Sequence, residues 1–270
     1  MDFRKIILIF LGIFITLDIF LAYAWLQTQQ TVTKPASALD VVNEMQNDNI
    51  TLPSLTDVRG SGSYVSAQTN NNVLLDKRTQ LQSDFSVRIN NGLLRVNLSK
   101  PLKLGQTTDE QVASLQKLLK HKSMVINGQE YSYNQVASRY AAKANGKNNV
   151  LVFSQKAVDN QLFNTTAGQL RFNLNDDNEL IGYSQRYLAQ KTRLRDADNL
   201  ISQARAVGVA YQYNQIENNQ KVLDVNLVYS ELTQVDGDVI YVPSWQLSIE
   251  DINSNISEEY VNAFNGTLLK

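Results

Sequence analysis

The sequence predicts an α+β protein with one N-terminal transmembrane helix followed by an extracytoplasmic domain of antiparallel sheets and helices. Three observations carry that reading. Residues 6–26 form an almost unbroken apolar run, interrupted mainly by Thr16 and Asp18. From about Ser63 onward the texture changes to short alternating runs separated by turn residues. Twice, such a hairpin pattern is followed by an amphipathic helix, which suggests two related hairpin/helix units.

At ~1.5 Å per residue the apolar run makes a helix about 31 Å long, enough to cross the hydrocarbon core of a bilayer. Arg4 and Lys5 precede it, whereas the first charge after it is Lys34. The positive-inside bias then places residues 1–5 in the cytoplasm and the large domain outside the cell membrane, as a single-pass protein. Tyr23 and Trp25 sit where amphipathic rings favour the headgroup region. The rival is a cleaved signal peptide, for which Ala22-Tyr23-Ala24 has the small-x-small form. The apolar stretch exceeds the usual h-region, and bulky Trp25 follows at once, so a retained anchor is expected.

Asp18 is the odd residue of that helix. A carboxylate there costs about 2.5–3.5 kcal/mol on insertion scales, and a single span has no second helix of its own to satisfy it. Asp18 is therefore the expected contact with a partner helix; the alternative is a carboxyl toward the outer half, protonated or reached by water, that is merely tolerated. Gly12 and Ala22 are small positions suited to close packing, on faces about 80° apart.

Residues 27–57 read as a polar tether with a short amphipathic piece at 38–45 and a break at Pro53. The domain proper is expected at 58–270, with 58–150 and 151–270 as candidate lobes. In it, residues 84–89 and 94–98 alternate around Asn90-Asn91-Gly92, a hairpin signal. Thr107 or Thr108 then caps a helix, Glu110 or Gln111 completes a capping box, and Val112, Leu115, Leu118 and Leu119 form the apolar stripe. The order recurs with strands at 170–174 and 180–184, then a helix starting at Asp196 or Asp198 and stopping at Gly208. Strands at 221–230 and 239–249 follow, joined around Asp236-Gly237.

Composition excludes several chemistries. The net charge of −1 supplies no basic field for nucleic acid. Cysteine is absent, which removes thiol catalysis and cysteine-ligated metals and suits a bacterial cell envelope. His121 is the only histidine, and its position explains it as a helix-end cation. Gly60-Ser61-Gly62 precedes a strand where a phosphate loop would open a helix. Asp176/Asp177 and Glu258/Glu259 read as solvated carboxylates in turn-like contexts, and Asn175–Glu179 lacks EF-hand spacing. The expectation is a non-enzyme without cofactor or metal.

The C-terminal region is more distinctive. Pro243 is expected at a strand start or edge, with Trp245 and Leu247 on one face and Gln246 on the other. The next strand carries Tyr260, Asn262, Phe264 and Gly266. This P-x-W strand followed by an N-A-x-x-G turn resembles the end of PepSY-type modules. Together with the Met1-Asp2-Phe3 start, the helix containing Leu17-Asp18-Ile19-Phe20-Leu21 and the polar tether, the VPSW…YVNAFNG ending resembles the YycI (WalI) family.

That resemblance implies a YycH/PepSY-like fold and an accessory membrane regulator of the YycFG (WalKR) two-component system of low-GC Gram-positive bacteria. It implies action on a sensor histidine kinase through membrane helices, beside a YycH-like single-span protein, in the control of cell-wall metabolism. Homo- and heterodimeric pairing are both compatible with it. The alternative is a PepSY-like extracellular modulator of a peptidase or cell-wall hydrolase; a wall-polymer-binding module is a third class.

Overall fold

The computed structural model describes residues 11–21, 38–69, 72–145 and 149–269. Two compact units divide the chain, Met1–Asp48 and Asn49–Lys270.

In the first unit, residues 11–21 are helical (α1), and Thr16 donates its hydroxyl back to the Gly12 carbonyl at 2.8 Å. Leu11, Phe14, Leu17 and Phe20 are all exposed on it, as are Ile13, Ile15 and Ile19. Among the described residues no helix is long and apolar enough to cross a membrane. The flanks of the predicted span, 6–10 and 22–26, lie outside the described residues. A second helix, α2 (Ala38–Asn47), covers the predicted amphipathic piece.

The second unit begins at Asn49, nine residues ahead of the expected domain start at 58. Residues 49–57 are built into it and are not tether. Thr51 makes a parallel bridge to Lys221, and the Thr56 amide donates to Gln203 Oε1 at 2.9 Å. Ser202 donates to Asp57 Oδ1 at 2.6 Å. Buried Ile50 supplies the apolar anchor that the polar look of this stretch obscures.

A six-stranded antiparallel sheet has the order β3 (Ser86–Asn90), β4 (Leu93–Lys103), β9 (Glu179–Gln185), β8 (Gln169–Leu174), β6 (Val150–Gln155), β5 (Tyr131–Tyr133). It crosses residue 150, so the two candidate lobes share it. Both predicted hairpins are present in this sheet. Asn91 and Gly92 both have positive φ, 48° and 70°, which is the type I′ signature. In the other turn, the Asn175 side chain accepts from the amides of Asp177 and Glu179.

The two hairpins pair with each other through β4 and β9, so the repeated units close one sheet. Their helices diverge. α4 (Thr108–Leu118) has Thr107 as N-cap in a full capping box with Glu110, and lays buried Leu115 on this sheet's core together with Leu119, which follows it. The centre of that core is the ring series Phe153, Phe172 and Tyr183, with centroids 5.4 and 5.7 Å apart.

The seven-stranded sheet runs β10 (Ala189–Arg193), β2 (Val65–Gln68), β13 (Asp238–Glu250), β12 (Lys221–Val235), β7 (Leu162–Asn164), with β14 (Ile256–Asn262) on β13 and β15 (Leu268–Leu269) on β14. The β12–β7 pair is parallel. Phe163, Tyr229 and Tyr241 form its aromatic core. A two-strand pair, β1 (Ser61–Gly62) with β11 (Asp198–Asn199), lies apart, and α3 (Val73–Lys77) is a short helix.

The second predicted helix needs correction. α6 is Gln203–Gln212, capped by Ser202, whose hydroxyl accepts from the Arg205 amide. Asp198 belongs to β11, and Gly208 lies buried inside the helix instead of ending it. The cap is fixed by the distant Asp57, which local sequence does not reveal. A further helix, α5 (Gln135–Asn145), was not anticipated.

Candidate functional site

Of the residues assigned to membrane contacts, Gly12 and Asp18 lie on α1. Arg4, Lys5, Ala22, Tyr23 and Trp25 lie outside the described residues.

Five of the six C-terminal motif residues, Pro243, Trp245, Asn262, Phe264 and Gly266, come together as a structural corner. Pro243 is inside β13, opposite Tyr229, and not at a strand start. It is tolerated because one side of β13 changes partner there: pairing with β2 ends at Tyr241, and pairing with β14 begins at Ser244. The Pro243 carbonyl accepts from the Ala263 amide at 2.9 Å. Trp245 is half-buried and donates its indole N–H to the Ile201 carbonyl at 3.0 Å. Asn262 accepts from the Phe264 amide, and Gly266, at φ 75°, donates to the Asn262 carbonyl. Phe264 stacks on Tyr64 at 4.9 Å, with the Arg195 guanidinium 4.5 Å above Tyr64. Tyr260 stands apart from this corner on the other face of the sheet, where its hydroxyl meets Gln246.

That other face holds the arrangement the sequence did not announce. Register places Asp224, Ser248 and Glu258 in one row across β12, β13 and β14, and Asn226, Gln246 and Tyr260 in the next. Ser244, Gln246, Ser248 and Asn262 are exposed by only 0, 4, 0 and 5 %, so a polar layer is buried here where apolar side chains are usual. Ser248 donates to Glu258 Oε1 at 2.7 Å, and Gln246 donates to the Tyr260 hydroxyl at 3.1 Å.

Helix α5 covers this layer. Asn134 caps it by accepting from the Ala137 amide and is itself held by a bond to Ser154 Oγ at 3.0 Å. Ser138 accepts from the Val152 amide, tying α5 to β6. On the opposite side Arg139 pairs with Asp224 at 2.9 Å, and the Tyr140 hydroxyl donates to the Ile256 carbonyl at 3.3 Å. Arg139 Nη1 and Glu258 Oε2 are buried and have no hydrogen-bond partner among the described residues.

Burial pushes the Glu258 carboxyl up to about 7, against the opposing pull of Ser248, Arg139 and Tyr140, and nearby Asp224 adds to the rise. The expectation of a solvated turn at Glu258/Glu259 therefore fails for Glu258. It sits on a strand beneath a helix, because β14 continues through polar Ser257-Glu258-Glu259. Asp176, Asp177 and His121 are exposed, as expected.

Between the first turn of α5 and the two polar rows lies a cleft of ≈ 380 Å³, lined among others by Tyr133, Gln135, Gln161, Asp224, Asn226 and Gln246. Among the described residues no three His, Cys, Asp or Glu side chains are grouped to hold a metal ion. The site offers hydrogen bonding and one titrating carboxyl.

The family described as "YycI protein" matches residues 28–264. No curated protein matches the chain. Among solved structures, an uncharacterized protein from Eubacterium rectale aligns with 10% identity over 86% of this chain and 98% of its own, at a TM-score of 0.50, a likeness of fold. The C-terminal domain of Bacillus megaterium YpeB aligns with 14% identity over 88% of this chain and 96% of its own, at a TM-score of 0.38.

Proposed function

Since the chain belongs to the YycI family, whose role is regulation within the YycFG two-component system, we propose that it is a single-pass membrane regulator of the sensor histidine kinase. In this reading the N-terminus is cytoplasmic and the unit from Asn49 onward is extracytoplasmic. The chain acts with a YycH-like partner through its membrane helix, and the output is control of cell-wall metabolism. The observation that carries the regulatory role is the family match across residues 28–264.

The anchor is supported by the apolar run at 6–26 and by α1, whose large apolar side chains are exposed around the helix. A helix that is apolar on all sides is suited to burial in lipid or protein. Asp18 is the proposed contact. Membrane hydrogen bonds average only about 0.6 kcal/mol, with a maximum near 1.7, so Asp18 biases a complex without holding it together. Packing at Gly12 and Ala22 supplies the remainder through different faces.

Co-purification from membranes tests the proposal: a kinase and a second single-span protein are the expected companions. Recovery of a peptidase or wall hydrolase in their place would support the PepSY-like alternative. Replacing residues 6–26 by polyleucine should abolish regulation of the kinase. Unchanged regulation would move the signal to the external domain and remove the role given to Asp18.

A further inference from the structure

We propose that the cleft between α5 and the polar face of the seven-stranded sheet is a binding site for a neutral saccharide of one or two rings. This goes beyond the kinase reading and does not rest on it. At ≈ 380 Å³ the cleft is at the small end of the range for ligand sites, with room for about a dozen waters.

The lining selects the ligand class. Three carboxamides, Gln135, Gln161 and Asn226, border the cleft, and their side chains make no protein hydrogen bond among the described residues. Each offers a donor pair and an acceptor. A sugar hydroxyl is both donor and acceptor, so a set of carboxamides matches several hydroxyls at once. Asp224 is the one charged residue in the lining. Arg139 holds its Oδ2 at 2.9 Å, leaving Oδ1 as an acceptor. The carboxylate disfavours an anion, and its existing partner removes the need for a cation.

The remaining lining is fixed in advance. Gln246 is buried and held by Tyr260, and Asn134 is bonded at both ends of its amide. The half-buried Tyr133 ring is braced edge-on by Phe153 at 5.6 Å, and presents a surface for the C–H face of a pyranose. Groups already ordered add little entropic cost on binding.

The test uses the full chain in nanodiscs, with N,N′-diacetylchitobiose as the saccharide probe and tri-alanine as the contrasting one. Saturation-transfer NMR and calorimetry should detect the disaccharide with a Kd on the order of 1 mM. Gln161→Ala/Asn226→Ala should weaken it at least tenfold while leaving the thermal midpoint in place. Gln135→Ala, on the exposed face of α5, gives an independent second arm and should weaken binding several-fold. Absence of binding at ten times the expected Kd would overturn the proposal. So would binding unaffected by these substitutions, or binding of tri-alanine alone. Kinase output is not a readout here, so failure of this site leaves the regulatory reading standing.

Discussion

Replacing Glu258 by glutamine should stabilise the unit from Asn49 onward at alkaline pH and change little in acid. The carboxyl titrates near 4.5 when the chain is unfolded and at about 7 when folded, because burial under α5 disfavours its charge. Arg139 and Tyr140 face it from α5, Asp224 from β12, Ser248 from β13 and Tyr260 from its own strand. Between the two values the folded state binds more protons than the unfolded one, so stability falls as pH rises through that window. The favourable contribution is fully present below about 4.5 and lost above about 7. At ~1.36 kcal/mol per pH unit the full gap is worth about 3 kcal/mol, and solvent access to this partly exposed group reduces it to ~1–2 kcal/mol. Glutamine keeps an acceptor for the Ser248 hydroxyl and never ionises. Urea unfolding of residues 49–270 should show Glu258→Gln more stable than the parent by ~1–2 kcal/mol at pH 8.5 and within error of it at pH 4.5. A difference that is the same at both pH values would refute the reasoning, because it would have no titrating charge behind it. Arg139→Met gives the complementary arm: with the guanidinium removed, the loss of stability with pH should steepen.

Truncation at residue 58 should leave a fragment ~3–5 kcal/mol less stable in denaturant than one beginning at 49, since it loses buried Ile50 and the bonds of Thr51, Thr56 and Asp57. Trp245→Ala should cost ~2–4 kcal/mol and Trp245→Phe only ~1 kcal/mol, the difference being ring packing beyond the single bond to Ile201. Thr107→Ala should cost ~1 kcal/mol by dismantling the α4 capping box, measurable as a shift in urea midpoint. Gly182→Ala should destabilise by ~1–3 kcal/mol, since a Cβ there would press on the Val96 carbonyl of the adjacent strand.

The hairpins were legible because their signals are local. Asn91-Gly92 dictates a tight turn, and the flanking alternation fixes which side chains turn inward. The α4 cap was legible for the same reason, as Thr107 and Glu110 satisfy each other within four residues. Helix α5 escaped notice because its buried face is carried by small Ala137 and Ala141 beside Val136, a weak apolar signal, while Asn134, Ser138, Arg139 and Tyr140 add hydrogen bonds that only the fold reveals. Pro243 suggested an edge because its tolerance depends on where β2 gives way to β14, a fact of long-range pairing. Glu258 looked solvated for a related reason: nothing near Ser257-Glu258-Glu259 tells that a helix more than a hundred residues earlier lies over it. The polar layer was therefore readable only as isolated Ser, Asn, Gln and Glu residues until register assembled them into rows.

Two sets of polar contacts link the two large sheets. One joint is α5, bonded to β6 by Ser138 and to β12 by Arg139. The other is a network around Glu130, just before β5. There burial opposes the charge, but Lys191 at 2.6 Å, the Tyr187 hydroxyl and Gln155 outweigh it and hold the carboxyl below its ordinary range. Gln155 at the end of β6 also clasps both backbone groups of Leu188, ahead of β10. Apolar interfaces tolerate sliding and repacking, whereas hydrogen-bonded ones hold one geometry and lose much when a partner is removed. The two joints differ in the state of their charge. At Glu130 the ion pair is satisfied and stays ionised across the neutral range, so that joint is constant. At Glu258 the carboxyl changes state near pH 7 with one oxygen unpartnered and an unpartnered guanidinium nitrogen in the same layer. A change in local charge or an added hydrogen-bonding group would thus act on the α5 joint while the Glu130 joint holds.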